Sequence, residues 1–283
     1  MEIIGYTCTF NEEKYIPYVM PYVENFGYDK FIVYDNGSTD NTVEMLSKYP
    51  FVEIRRWDTG GVFDDRAKCE LQRSAFYECK MRQGNGNELV WMTFTDFDEV
   101  LFYNGDVDIK AALTEDRIWR GYNCFYKNMV NLFPPSMDKR LGWICDEKNK
   151  LVHAVDGVFA NYWVGGMKPT MILVNDFDEF TPTPGNHYGF ARPIQGVEIK
   201  NYDDCCRMYG FHLKFIDPTA LKEKWESYAQ RNKDVYVKNI EKFDEIYLAQ
   251  MSLSFPVRDY FLADGMRSRL QSCDIPYHGL LPF

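Results

Sequence analysis

Short apolar runs alternate with amphipathic stretches through the first hundred residues, and three of those runs end in a cluster of polar residues. Glu2–Thr9, Lys30–Tyr34, Phe51–Trp57 and Leu89–Thr95 read as buried strands, being short, apolar and rich in β-branched and aromatic residues. Between them, Glu12–Phe26 is amphipathic, Val43 and Leu46 give one helix face, and Asp65–Arg82 carries Ala67, Leu71 and Ala75 at helical spacing. Pro17 and Pro21 are expected to confine the first helix to its later part. Strands separated by helices imply βαβ units and a largely parallel sheet. In such sheets ligands bind outside the carboxyl ends of the strands, which directs attention to Thr7–Glu12, Asp35–Asp40 and Asp96–Glu99.

The later part of the chain is less regular. Arg117–Leu132 and Leu151–Val174 read as strand-rich, with loops around Pro134-Pro135 and Pro182–Gly185. Helices are expected over Pro218–Asn232, Val235–Met251 and Pro256–Gln271. No Pro/Gly-rich or charged linker separates these regions. Asp-Phe-Asp-Glu occurs at 96–99 and 176–179, but its flanks differ and no internal repeat follows from it.

Charge narrows the function. With 32 Lys plus Arg against 42 Asp plus Glu the net charge is −10, and no basic run offsets it. This argues against a nucleic-acid partner, because affinity for a phosphate backbone rests on clustered cations. The apolar stretches Leu89–Phe94 and Gly157–Met167 fall short of the roughly 20 residues a bilayer span needs. The N-terminus carries no basic segment followed by an apolar block, so a cytoplasmic location is expected, with peripheral membrane association left open. The eight cysteines include no Cys-x-x-Cys pair and read as reduced and mostly buried. Aromatic residues make up 17%, which suits a core and also suits stacking on sugar rings, for which Trp143, Tyr162 and Trp163 are candidates.

Two constellations carry chemistry. In Trp91-Met92-Thr93-Phe94-Thr95-Asp96-Phe97-Asp98-Glu99, two carboxylates two residues apart end a buried strand, where they need a cation or a hydrogen-bond network. Hard oxygen ligands of this kind suit Mg²⁺ or Mn²⁺ bridging a diphosphate, although a polar strand end that caps a helix is the plain alternative. In Asp35-Asn36-Gly37-Ser38-Thr39-Asp40, Gly37 permits a tight turn, the following residues cap a helix, and Asp35 is placed to accept from the N3–H of a uracil.

Taken together with Asn11-Glu12-Glu13, the order and spacing of these motifs resemble the family-2-like glycosyltransferases of the GT-A fold. The resemblance implies an α/β fold with a mixed, mostly parallel sheet flanked by helices and a helical C-terminal extension. It implies a catalytic domain over 1–216, with a nucleotide-binding half at 1–103 and an acceptor-side half at 104–216, and an extension at 217–283 packed on the same domain. Thr7, Thr9 and Asn11 would line the nucleotide pocket with Asn36 and Gly37. Asp35 would recognise the base, Asp96 would approach the ribose or the metal, and Asp98 would ligate a Mn²⁺ or Mg²⁺ ion. More weakly, Lys168-Pro169, Gly185-Asn186-His187 and Phe211-His212-Leu213-Lys214 are similar to later family motifs, which makes His187 and His212 candidate metal ligands. His153 and His278 read as structural. Lys168 and the helix-borne Lys68 are candidate counter-charges for the leaving diphosphate, while Arg66 reads as part of a solvated face.

The expected reaction is transfer of a sugar from a nucleoside-diphosphate donor, a UDP-sugar by the Asp35 reading, to a saccharide acceptor. Inversion requires a carboxylate base, for which Asp156, Asp178 and Glu179 are the candidates. Two alternatives stay open. A sugar-nucleotide nucleotidyltransferase usually has a glycine-rich basic loop after its first strand, whereas Thr9–Glu13 is acidic and free of glycine. A non-catalytic carbohydrate-binding module would account for the aromatics but not for the acidic strand ends.

Overall fold

A computed structural model of the chain describes residues 1–60, 64–83, 88–103, 108–127, 130–134, 143–145, 151–153, 159–162, 168–184, 190–200, 208–231, 240–252 and 255–256. In chain order the elements begin with β1 (Glu2–Thr9), α1 (Ile16–Phe26), β2 (Lys30–Asp35), α2 (Thr42–Leu46), β3 (Val52–Arg56), α3 (Asp65–Arg82), β4 (Val90–Phe94), β5 (Glu99–Tyr103) and α4 (Ile109–Arg120). They continue with β6 (Cys124–Lys127), β7 (Val130–Phe133), β8 (Trp143–Cys145), β9 (Leu151–His153), β10 (Phe159–Tyr162), β11 (Lys168–Leu173), β12 (Phe177–Thr181), β13 (Phe190–Pro193) and β14 (Met208–His212). Last come α5 (Pro218–Gln230), α6 (Phe243–Ser252) and β15 (Phe255–Pro256). The chain divides into two compact units, one of residues 1–128 and 165–210, the other of residues 129–164 and 211–283.

The first unit is built on a six-stranded sheet in the order β3-β2-β1-β4-β11-β6. Its first four strands are parallel, β11 is antiparallel to β4, and β6 is antiparallel to β11. This is the mixed, mostly parallel α/β sheet expected from the alternation of runs. Strand residues alternate between its faces. Ile4, Tyr6, Ile32, Met92 and Phe94 pack on one side with Ala75, Phe76 and Cys79 of α3 and with the β12–β13 hairpin. Ile3, Trp91, Met171 and Leu173 pack on the other with Phe26 of α1, Leu101 of β5, and Ile109 and Leu113 of α4. A sheet covered on both faces needs apolar residues at nearly every position, which is why its strands read as continuous apolar runs.

Strand and helix limits in this unit follow the sequence closely, with one correction. Helix α1 occupies the later part of Glu12–Phe26, as expected, and runs on through Pro21. Pro17 lies in the first turn, where no intrahelical donor is needed, and burial of Val19, Met20, Tyr22, Val23 and Phe26 offsets the single donor lost at Pro21. Residues 117–120, expected to be strand, close α4, whose start is fixed by Asp108 accepting from the Lys110 and Ala111 N–H groups.

In the second unit β10 is antiparallel to both β7 and β15, and β14 runs parallel to β7. Its core gathers Phe133, Phe215, Leu221, Trp225, Phe243 and Tyr247. Helix α5 starts at Asp217, which accepts from the Ala220 N–H at 3.0 Å, with Pro218 in the first turn. The C-terminal helices thus group with the strands of 129–164, whereas the sequence division ran at residue 216. Phe255–Pro256 is strand, not the start of the expected third helix. No helix among the described residues is long and apolar enough to cross a membrane.

Candidate active site

Strand β1 lies between β2 and β4. The chain steps outward from β1 to β2 to β3 and then crosses to β4 on the other side, so the strand order reverses between β1 and β4. Such a reversal opens a crevice at the carboxyl ends of the strands. Register brings the three polar clusters to that edge: Thr9 pairs with Asp35, Asp35 with Arg56, and the Thr95 N–H donates to the Tyr6 carbonyl at 3.3 Å. Convergence of the clusters, expected from the strand ends, is what the sheet produces.

The first two clusters form one network. Asn11 Oδ1 accepts from the Thr39 N–H (2.8 Å) and the Asn11 N–H donates to Ser38 Oγ (2.9 Å). The Glu12 N–H donates to Thr42 Oγ1 (2.7 Å) and the Glu13 N–H to Asp40 Oδ2 (3.2 Å). Glu13 Oε2 in turn accepts from Asn41 through both its backbone N–H (3.0 Å) and Nδ2 (2.9 Å). Asn11 holds φ 54°, a left-handed conformation that asparagine tolerates better than other residues with a β-carbon. Asp35 accepts from the N–H groups of Gly37 and Ser38, each at 3.2 Å, and Gly37 takes φ 77° in that turn. Asn36 binds Thr59, accepting its N–H at 3.0 Å and donating to its Oγ1 at 3.0 Å. The side chains of Asn11 and Asn36, expected in a ligand pocket, therefore hold the loops in shape. Ser38, Asp40, Thr42 and Thr59 join that work; Ser38 and Asp40 were expected only as helix caps, and Thr42 and Thr59 had no signal beyond a high density of Ser, Thr and Asp after strand ends.

The third cluster is a turn, in which the Glu99 N–H donates to the Asp96 carbonyl at 2.9 Å. Lys68 reaches it from α3, the helix that crosses over from β3 to β4, and forms an ion pair with Asp96. The Lys68 side chain is 12% exposed and that of Asp96 35%. Burial disfavours the Lys68 ammonium, but Asp96, Cys8 and Glu99 around it more than reverse the effect and hold it charged far above neutral pH. Burial pushes the Cys8 thiol up to about 12, so it is no nucleophile at neutral pH. Asp98 and Glu99 are buried at 5% and 3% exposure.

The donor chemistry of this turn suits a hard divalent cation held by one or two carboxylates with phosphate oxygens and water. It does not suit a cage made wholly of protein ligands, since no three His, Cys, Asp or Glu side chains gather as such among the described residues. On β1, the hydroxyls of Thr7 and Thr9 are buried at 0% and 2% exposure and have no hydrogen-bond partner. A buried hydroxyl left unpaired costs about 1–3 kcal/mol.

The remaining expected residues lie elsewhere. Glu179 is paired with Arg192 at 3.4 Å and Asp178 is exposed, both on β12. Asn175, shortly before them, accepts from the Val90 N–H at the amino end of β4, the edge opposite Asp96. His212 is buried at the end of β14 in the second unit, and Lys168 opens β11 opposite Lys127. Arg66 is exposed, as expected of a solvated face. Asp156, His187 and Trp163 lie outside the described residues.

Residues 6–129 match the model of glycosyltransferase family 92. That span holds all three clusters, and the chain therefore carries a glycosyltransferase domain. No curated protein sequence matches the chain. Among solved structures it is similar to S. aureus TarS 1-349, at 14% identity and a TM-score of 0.37, with 98% of this chain and 76% of that one covered. The same protein in complex with UDP-GlcNAc matches at 14% identity and a TM-score of 0.35, over 93% and 74% of the two chains. A 4-diphosphocytidyl-2C-methyl-D-erythritol synthase matches at 13% identity and a TM-score of 0.30, over 62% and 76%.

Proposed function

We propose that the chain transfers a sugar from a nucleoside-diphosphate donor, a UDP-sugar, to a saccharide acceptor in the cytoplasm, with inversion and with Mn²⁺ or Mg²⁺ as cofactor. The observation that carries this reading is the convergence of Thr7–Glu12, Asp35–Asp40 and Asp96–Glu99 at the reversal of strand order, inside the segment that matches a glycosyltransferase family.

The roles follow from the bonding capacity of each group. The Asp35 carboxylate offers about four lone-pair sites. Its bonds to the Gly37 and Ser38 N–H groups leave capacity for the N3–H of a uracil and fix its orientation. Thr7 and Thr9 have hydroxyls to give to a ligand or a bound water. Asp98, with Asp96, would hold the divalent cation, which when bound offsets the negative charge that develops on the leaving diphosphate. The bond from the anomeric carbon to the diphosphate oxygen breaks as the acceptor oxygen bonds to that carbon. The acceptor proton passes to a carboxylate base, for which Asp156 is kept as candidate, since Asp178 and Glu179 follow Asn175 at the sheet edge opposite Asp96.

A thermal-shift screen of UDP-, GDP- and CDP-sugars with and without Mn²⁺ tests the reading. A UDP-sugar at a hundred times its Kd is expected to raise Tm by about 5 °C or more in the presence of Mn²⁺. Asp98→Ala is expected to remove the part of the shift that depends on metal. Equal diphosphate binding with Mn²⁺ and with EDTA would refute the metal role, and release of pyrophosphate from a nucleoside triphosphate and a sugar phosphate would refute glycosyl transfer.

A further inference from the structure

Among the described residues, the one lysine buried at the acidic turn is already engaged. Lys68 descends from the second turn of α3, a helix held at its start by Asp64, which accepts from the Arg66 and Ala67 N–H groups at 2.9 Å each. Its stem is covered, so the ammonium is presented to Asp96 with little freedom to turn elsewhere. Asp96 is the more exposed partner and the member of the pair that an incoming ion meets first. A carboxylate bonded to an internal ammonium is a poorer ligand for any other cation, because the two positive charges compete for the same oxygens.

We propose that Lys68 is a built-in counter-ion that occupies Asp96 until the donor arrives, so that binding of a divalent cation and of the diphosphate is coupled through the release of this one side chain. The inference rests on the metal-dependent reading above. In the ligand-free protein Lys68 keeps a cluster of negative charge neutralised and Asp96 in place. When a diphosphate enters, its oxygens give the ammonium a second anionic partner, and Asp96 is freed for the cation. The chain then takes up Mn²⁺ weakly by itself and tightly with UDP.

Titration of Mn²⁺, followed by the EPR signal of the free ion, tests this on the whole chain with UDP as the nucleotide. Wild type is expected to bind Mn²⁺ about tenfold or more weakly without UDP than with it. Lys68→Met is expected to bind Mn²⁺ tightly without UDP and so to lose most of that difference, while Lys68→Arg keeps it. Lys68→Gln covers the case in which Lys68→Met does not fold: it keeps a polar end group beside Asp96 but removes the competing charge, and is expected to bind Mn²⁺ tightly without UDP. Equal Mn²⁺ affinity without UDP in wild type and in the folded Lys68→Met or Lys68→Gln variant overturns the counter-ion role while the metal reading stands. Absence of Mn²⁺ binding in every form, with and without UDP, overturns both.

Discussion

Asn11 has a left-handed backbone and makes bonds to Ser38 and Thr39, a pairing of strain and recognition that few side chains can satisfy together. Asn11→Ala removes the side-chain bonds and leaves at φ 54° a residue that tolerates the left-handed region less well than asparagine, so it is expected to cost about 2–3 kcal/mol. Asn11→Gly loses the bonds but relieves the backbone, with an expected cost of about 1 kcal/mol. Urea unfolding of the two variants checks the order; if alanine proves no worse than glycine, the backbone conformation contributes nothing. This residue also shows where sequence reading stops. Asn11 was singled out because Asn11-Glu12-Glu13, with the two acidic clusters after it, resembles a family's motifs. It could not say that the amide faces Thr39 rather than a nucleotide, because that depends on a partner nearly thirty residues away.

Among elements, the pairing of β1 with β2 sets where Thr9 and Asp35 meet, and it depends on one close approach. A β-carbon at Gly5 would run into the Phe31 ring of β2 and lie 2.9 Å from Tyr28 Cε1. Gly5→Ala is therefore expected to destabilise by about 1–3 kcal/mol, as overpacking of a tight core does. Adding Phe31→Leu should recover part of the loss, and thermal melts of the single and double variants check this. The central strands and α3 were legible because a sheet covered on both faces demands unbroken apolar runs, and because Asp65–Arg82 is flanked by a capping aspartate and basic last-turn residues. Helix α1 was only half legible, since Pro21 argues against helix locally and only the burial of its neighbours overrides that argument. The acidic turn was legible as chemistry. Its ion pair was not, since Lys68 was expected to face a diphosphate, and only the placement of α3 against the turn shows that it meets Asp96.

For the whole molecule, a net charge of −10 acts on every anionic ligand that approaches. Association of UDP in the absence of metal is expected to speed up as salt is raised from about 20 to 200 mM, because screening weakens a repulsion between like charges. Stopped-flow quenching of intrinsic fluorescence would show this, and a rate that falls with salt would mean that the crevice itself is positive. The network between the Asn11–Glu13 and Ser38–Thr42 loops carries a different consequence, one for protein engineering. Backbone donors of the first loop end on side chains of the second, and backbone donors of the second end on side chains of the first. Neither loop is self-sufficient, so the two form a single cassette although they are distant in sequence. An attempt to alter donor choice by grafting one of them from another enzyme would strand the bonding groups of its mate; the transplantable piece is the pair.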